Sequence, residues 1–324
     1  MSTNDNATKR NAWLDLIKLI ASFMVVFIHI DFPGKFGYVM DAIARFAVPL
    51  FFAVSGFFAL NTDTATIKRR AIKIGIIYLI SATIYHIYDI ICVGFINHII
   101  RTFTLGNAFY LVFFNVPLVS VHLWFLLALI CVYLIWLLVI KLNLKDKTIF
   151  ILSVVCLAIH LFFGEILTIF NIRIPATLVR NFAFMGFPFF TLGYLANKHK
   201  EKLLKTNNAI LIVLLVVGCL ESALSCVFFD YNEIYIGSIC ILCALIVISI
   251  KLQEKPLDKF WILLSSTSSD IYIFHILISS VVMKCLNLLN TPTNSLIFGY
   301  VWPLIVCLVC MMLSLIKKAI IKKP

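Results

Sequence analysis

Long apolar segments alternate with short polar ones along almost the whole chain. A helix needs about 17–25 mostly apolar residues to cross a bilayer. Ten segments reach or approach that length, at 13–30, 43–60, 71–93, 122–140, 148–163, 180–197, 208–228, 233–250, 268–286 and 296–316. The pattern predicts an all-α, polytopic integral membrane protein with about ten transmembrane helices.

The basic residues fall on one side of these predicted spans. Cytoplasmic loops of membrane proteins carry an excess of Lys and Arg. If the N-terminus is cytoplasmic, the outer side keeps six of the 27 Lys and Arg residues, namely Lys35, Arg45, Arg101, Arg173, Arg180 and Lys284. We therefore expect both termini to be cytoplasmic, as tails at 1–12 and 317–324 around a membrane domain at 13–316. Residues 31–42 are expected to form an outer loop, and 94–121 an outer connection that lies along the interface or re-enters the membrane.

Composition agrees with a multi-pass membrane protein. The chain is 62% hydrophobic and 13% charged, whereas soluble domains are about half apolar and a quarter charged. The net charge of +12 resides in the loops, so the lipid bilayer is the expected partner and nucleic acid is not. The first segment lacks a small-residue cleavage site and predicts a retained helix. The ten Cys are scattered through apolar segments, where packing explains them better than metal or redox chemistry, and no metal site is expected.

The first span carries four polar side chains on one face. At about 100° per residue, Asp15, Lys18, Ser22 and His29 fall within a stripe about 60° wide. Ionisable groups inside a membrane face protein or a water-filled cavity and indicate function. Snorkelling to the inner interface is the alternative explanation for Lys18.

Other polar residues are predicted to gather near the two membrane faces. His29, Arg45, His122, Arg180 and Glu165 form the expected outer set, and Asp15, Lys18, Asp270 and His275 the inner one. A His is the natural general base for a hydroxyl, and an Arg binds anions or steadies negative charge on oxygen. The chain has no Walker, GxSxG or GxGxxG motif, which argues against a nucleotide-driven pump or a soluble-type hydrolase.

The second and sixth spans share a pattern. Each has an Arg at its outer end, then a Pro beside aromatic residues, then a Gly, which suggests a weak internal repeat. In the second span Ser55 and Gly56 would permit close approach of another helix.

Four sequence blocks resemble the bacterial acyltransferase family 3 membrane proteins. They are WLDLIKLIASFMVVFIHI and RFAVPLFFAVSGFFAL within 13–60, HLWFLLALI at 122–130 and SSDIYIFHIL at 268–277. The resemblance covers essentially the whole chain. It implies a multi-pass enzyme of the bacterial plasma membrane that transfers an acyl group, usually acetyl, from cytoplasmic acyl-CoA to a hydroxyl of an extracytoplasmic sugar or surface glycan. Acyl-CoA would be a co-substrate, and no bound cofactor is implied.

The resemblance also assigns residues. The family's basic residue, ten intervening residues and essential His correspond to Lys18 and His29, and its Arg before the Pro-aromatic run corresponds to Arg45. His29 would be catalytic, and Lys18 and Arg45 would bind donor or acceptor. Asp15, from the polar stripe, and His122, from its predicted level near His29, are candidates for the same binding role. The family more often has Arg at the first position; Lys18 keeps the charge but lacks the planar fork. Further candidates are Ser55, Arg180, Glu165, Asp270 and His275.

Two other functions fit the same pattern. Similar membrane cores occur in vancomycin-resistance serine racemases, where amino-acid uptake is implied, and in proposed polysaccharide exporters. A transporter would use the polar stripe as a permeation path. The serine racemase form should carry a soluble enzyme domain after the last span, whereas this chain ends at Pro324. In a simple membrane anchor, the third alternative, the aligned polar stripe would have no use.

Overall fold

The computed structural model describes residues 11–229, 232–293 and 295–321, and within these ranges the chain forms helices and no strands. The helices are α1 (Ala12–His29), α2 (Gly34–Ala44), α3 (Ala47–Phe57), α4 (Thr64–Val93), α5 (Phe95–Thr102), α6 (Leu105–Phe114), α7 (Trp124–Lys141), α8 (Asp146–Leu161), α9 (Leu167–Ile169), α10 (Ala176–Val179), α11 (Phe187–Lys198), α12 (Lys200–Leu203), α13 (Asn208–Phe229), α14 (Ile236–Leu252), α15 (Lys259–Ser265), α16 (Ser268–Leu288) and α17 (Leu296–Ile321). A 3₁₀ turn at Val121–Leu123 leads into α7, and π-helical turns lie at Phe162–Ile166 and Phe182–Gly186.

Helices lie at all ten predicted span positions. In the described part of the chain, eight helical stretches are long and apolar enough to cross a membrane. The eighth predicted span, α14, has 17 residues, and the sixth consists of a π-helical turn followed by the 12-residue α11. The all-helical, membrane-type class is therefore confirmed. A count of ten spans and the cytoplasmic position of both termini stay predictions.

The second span begins earlier than predicted. Residues 31–42 were expected to form a loop, but α2 begins at Gly34, whose φ of +63° lies in the region that favours glycine. The helix is interrupted at Arg45 before α3 continues it. Pro49 explains the interruption, because it has no N–H to bond the carbonyl of Arg45.

Helices α3 and α11 cross in direct backbone contact. A Cβ atom added to Gly56 would lie 1.8 Å from the carbonyl oxygen of Phe190, and one added to Gly193 would lie 1.7 Å from that of Ala53. The expectation that Gly56 permits close approach is confirmed. The two spans that share a sequence pattern therefore pack against each other through the glycines of that pattern.

The connection at 94–121 contains two short helices, α5 and α6. His98 on α5 is buried, and its Nδ1 lies 2.6 Å from Oδ2 of Asp89 on α4. Its Nε2 lies 3.0 Å from Nδ1 of His86. This chain of polar contacts ties α5 to the last turns of α4.

The central helices supply the candidate functional residues. In the apolar windows of α1, the α2–α3 pair and α7, between 50% and 72% of the residues are buried, whereas the share is 28% or less in α4, α8, α13, α16 and α17. The peripheral helices carry large, exposed apolar side chains on the faces that do not pack against the rest of the bundle, as a lipid-facing surface requires. Several polar side chains on these helices, among them Asp15, Ser22 and Asp41, are thereby buried in protein.

Candidate active site

Three histidine rings from different helices meet in one layer of the bundle, which we call the histidine layer. The ring centroid of His29, at the end of α1, lies 6.0 Å from that of His122 and 5.3 Å from that of His275. The centroids of His122 and His275 are 5.0 Å apart. At this spacing one small reacting group could contact more than one of the rings.

The placement of His275 corrects the sequence analysis. We expected it in the inner set with Lys18, because it lies near the start of the ninth predicted span. It lies about two helical turns into α16, roughly 10 Å along the axis from Ser268, and this rise carries it to the level of His29 and His122.

His122 is held by hydrogen bonds at both ring nitrogens. The carbonyl of Ile273 can only accept, so Nε2 of His122 donates to it at 2.9 Å. Nδ1 therefore keeps its lone pair and accepts from the Ser120 hydroxyl at 2.8 Å. The Tyr272 hydroxyl donates to the backbone oxygen of His122, and the Tyr85 hydroxyl donates to Ile273 O at 2.8 Å. These bonds fix the ring and its tautomer.

The other two rings are less constrained. Nδ1 of His275 donates to the carbonyl of Tyr272 at 2.8 Å, which leaves the lone pair on Nε2. That nitrogen is buried and has no hydrogen-bond partner among the described residues. A buried polar atom without a partner is costly and needs an explanation. His29, in contrast, is exposed.

An apolar cavity of about 390 Å³ lies below the histidine layer, on the side where α1 begins. Lys18 and Arg70 supply its positive charge, and Ser269 lines it near the start of α16. Lys18 forms an ion pair with Asp15 at 2.7 Å. Ser55 also lines the cavity, but its hydroxyl donates to a backbone carbonyl of its own helix. We call this space the inner cavity, after the predicted topology.

A smaller space lies on the other side of the histidine layer. This outer recess is lined by His29, Arg45, Trp124, Arg180 and Glu233. Arg45 and Arg180 both pair with Glu233, at 3.1 and 3.2 Å. The Arg180 guanidinium also lies over the Trp124 ring, 5.6 Å from its centroid. Arg45 and Arg180, the first residues of the pattern shared by the second and sixth predicted spans, thus contact the same carboxylate.

Charge within the recess is balanced by two acids. Arg45 makes a second, bidentate contact with Asp41, with N–O distances of 2.9 and 3.0 Å. Glu233 contacts both guanidinium groups and so holds Arg45 and Arg180 together.

Two candidates lie away from both spaces. Oε2 of Glu165 accepts from the backbone N–H of Ile236 at 3.0 Å, where α14 begins. Asp270 contacts Ser314 and Lys317 at 2.5 Å and joins α16 to α17. Neither is among the residues that line the inner cavity or the outer recess.

Several site residues were not identified from the sequence as candidates. Glu233 lies just before α14, and its only signal was a carboxylate at the predicted outer end of a span. Arg70 served only as a marker of topology. Tyr272 had no signal, because its role depends on contacts with His122 and the inner cavity.

The chemistry open to these residues is acid–base and electrostatic. In the described part of the chain, no group of three or more His, Cys, Asp or Glu side chains is arranged to hold a metal ion. The histidine layer offers His29 as a base, and His275 offers a lone pair nearby. The inner cavity and the outer recess approach this layer from opposite sides, so reactants from the two sides could meet at His29.

The fold is a bundle of membrane-type helices. Its candidate site lies inside the bundle, at the histidine layer, with a separate space on each side. These features are those of a membrane protein with an internal site. The model of the family described as "Acyltransferase domain" (Acyl_transf_3) matches residues 11–312, so the chain belongs to acyltransferase family 3. The resemblance of the four sequence blocks is thereby confirmed. No curated protein and no solved structure matches the chain.

Proposed function

We propose that this protein is a membrane-embedded O-acyltransferase that moves an acyl group, acetyl in particular, from cytoplasmic acyl-CoA to a hydroxyl of an extracytoplasmic sugar or surface glycan. The observation that supports the proposal is the histidine layer. It lies between the inner cavity, an apolar space with two basic side chains, and the outer recess. A bacterial plasma membrane is the proposed location. The family membership makes acyl transfer the reaction to test.

The inner cavity suits the donor. Lys18 and Arg70 would bind the phosphates of CoA, since Lys and Arg are the usual phosphate ligands. From Lys18 to His29 the helix rises about 16 Å, a distance that an extended pantetheine arm can cover. The apolar wall would hold this arm, with the thioester at the level of the histidine layer.

The proposed reaction needs one proton carrier. His29 takes the proton of the acceptor hydroxyl as its oxygen attacks the thioester carbonyl carbon. The new C–O bond forms, the C–S bond breaks, and the thiolate of CoA leaves and takes the proton from His29. The buried Nε2 of His275 lies close enough to His29 to receive a hydrogen bond from a reacting group. His122, itself fixed by its hydrogen bonds, would pack against both rings.

The outer recess suits the acceptor. Arg45 and Arg180 would steady negative charge on oxygen as it develops, with Glu233 holding them in position. A neighbouring cavity of about 310 Å³ is lined by Asp31, Tyr38 and Asp41. It adjoins the recess through the Asp41–Arg45 ion pair. Carboxylates that accept from hydroxyls and an exposed aromatic ring would fit a sugar ring.

The test is turnover of acetyl-CoA by membranes that contain the full-length protein and a panel of sugars and glycans. His29→Ala should abolish acyl transfer, and His199→Ala, at an exposed position, should leave it intact. Undiminished transfer by His29→Ala, with normal insertion, would contradict the proposal. Uptake or export of a polar substrate without acyl-CoA consumption would favour the transporter alternative.

A further inference from the structure

Three aromatic rings close the end of the inner cavity that faces the histidine layer. The ring centroids of Phe51, Phe125 and Tyr272 lie 5.7, 5.6 and 5.5 Å apart, so each ring touches both others. They come from α3, α7 and α16, and all three are buried and line the cavity. We call this closed triangle the aromatic roof.

The aromatic roof lies directly against the histidine layer. The Tyr272 ring centroid is 5.9 Å from that of His122, and the Tyr272 hydroxyl donates to the backbone oxygen of His122. Ile273 also lines the cavity, and its carbonyl accepts from Nε2 of His122. Any group that passes from the cavity to His29 must therefore fit against these rings.

Charge is distributed unevenly along the cavity. Of the described residues that line it, the charged ones are Lys18 and Arg70, and each lies in the first half of its helix, α1 or α4. The roof half is lined by aromatic and aliphatic side chains, and the hydroxyl of Tyr272 is already engaged by His122. A carboxylate buried there would lose its hydration, and no cation among the described residues lines this half to pair with it, which is unfavourable.

We infer that the aromatic roof sets acyl-group specificity: it admits a short, uncharged acyl group and excludes both long chains and acyl groups that carry a carboxylate. The inference rests on the proposed function and names which acyl-CoA that site accepts. Size is limited because the three rings are in mutual contact and buried interiors tolerate little added volume. Charge is limited because no described cation lines the roof half of the cavity.

The experiment compares acetyl-, butyryl-, hexanoyl-, octanoyl- and succinyl-CoA as donors for the full-length protein in membranes. We expect the wild type to prefer acetyl-CoA and to use succinyl-CoA poorly. Phe125→Ala and Phe51→Ala should raise the octanoyl-to-acetyl ratio of kcat/KM by about tenfold or more, the range that apolar pockets give for small changes in size. Neither variant should improve succinyl transfer.

Phe57→Ala is the matched control, since Phe57 is a buried Phe on α3 that does not line the cavity. It should lower stability and leave the ratio unchanged. Phe51→Leu gives a milder change, and competition by each acyl-CoA for binding in detergent provides a second readout if transfer is weak. An unchanged ratio in all roof variants, or a wild type that uses succinyl-CoA as well as acetyl-CoA, would overturn this inference alone. Absence of turnover with every acyl-CoA would overturn the proposed function and the inference with it.

Discussion

The ring of His29 lies with its centroid 5.3 Å from that of His275, although the two residues are separated by most of the chain. His29 is exposed, while His275 is fully buried and its Nε2 has no partner in the described ranges. The accessible base His29 thus lies beside the buried lone pair on Nε2 of His275. We expect a reacting group to occupy the space that both rings face during acyl transfer.

His275→Ala should lower kcat by about 10²-fold, the lower end of what a positioned acid–base group contributes, with a smaller effect on the KM for acyl-CoA. His160→Ala is the matched control. His160 is also fully buried, its Nδ1 donates to the carbonyl of Val179 at 2.9 Å, and its Nε2 likewise has no partner among the described residues. Steady-state kinetics in membranes distinguish the two variants. Equal losses of kcat would mean that His275 acts only through packing.

Lys18→Ala should raise the KM for acyl-CoA by about tenfold with little change in kcat, because it removes one phosphate contact worth about 1.5 kcal/mol. Lys18→Arg should restore most of the affinity. Lys147→Ala, at an exposed position on the same predicted side, serves as the control. If Lys18→Ala bound acyl-CoA like the wild type, the donor would not enter by the inner cavity.

Glu233→Gln should destabilise the protein by about 3 kcal/mol, because it leaves the buried Arg45 and the half-buried Arg180 without their shared charge. Thermal unfolding in detergent measures the loss, with Glu201→Gln at an exposed position as control. Transfer to the acceptor should fall as well, since Arg45 and Arg180 would separate. Unchanged thermal stability would show that the Arg45–Glu233–Arg180 contacts hold nothing together.

Gly193→Ala should destabilise the crossing of α3 and α11 by about 3 kcal/mol or more, since its Cβ would overlap backbone atoms of Ala53. Gly75→Ala is the control, because the nearest atom to its added Cβ is the Ile130 Cδ1 at 4.0 Å. Folded yield and thermal unfolding in detergent report the difference. A well-folded Gly193→Ala protein would show that the backbones can separate at no cost.

The membrane class and the position of His29, the candidate catalytic residue, could be predicted from the sequence, because both follow from local patterns. Hydropathy marks the spans, and the spacing of Lys18 and His29 is carried by a single helix. The expectation for Arg45 also rested on its place at a span end. Such features need no knowledge of how helices pack.

The remaining parts of the site depend on contacts between distant segments. The sequence predicts the wrong depth for His275. Its true depth depends on how α16 packs against α1, which the local sequence pattern does not reveal. Glu233 was missed because a carboxylate before a short span gains meaning only when Arg45 and Arg180 are seen to share it. The break at Arg45 follows from Pro49, but α2 was read as a loop because Gly34 and Gly37 suggested one.

In the proposed reaction an acyl group passes from a donor on the Lys18 side to an acceptor on the His29 side. This passage can be followed in sealed vesicles that contain the oriented full-length protein, with labelled acetyl-CoA on the Lys18 side and a glycan acceptor on the other. We expect labelled glycan on the acceptor side, free CoA on the donor side, and neither with His29→Ala. Label that reaches the glycan only when both reactants are on the same side would contradict the proposed transfer.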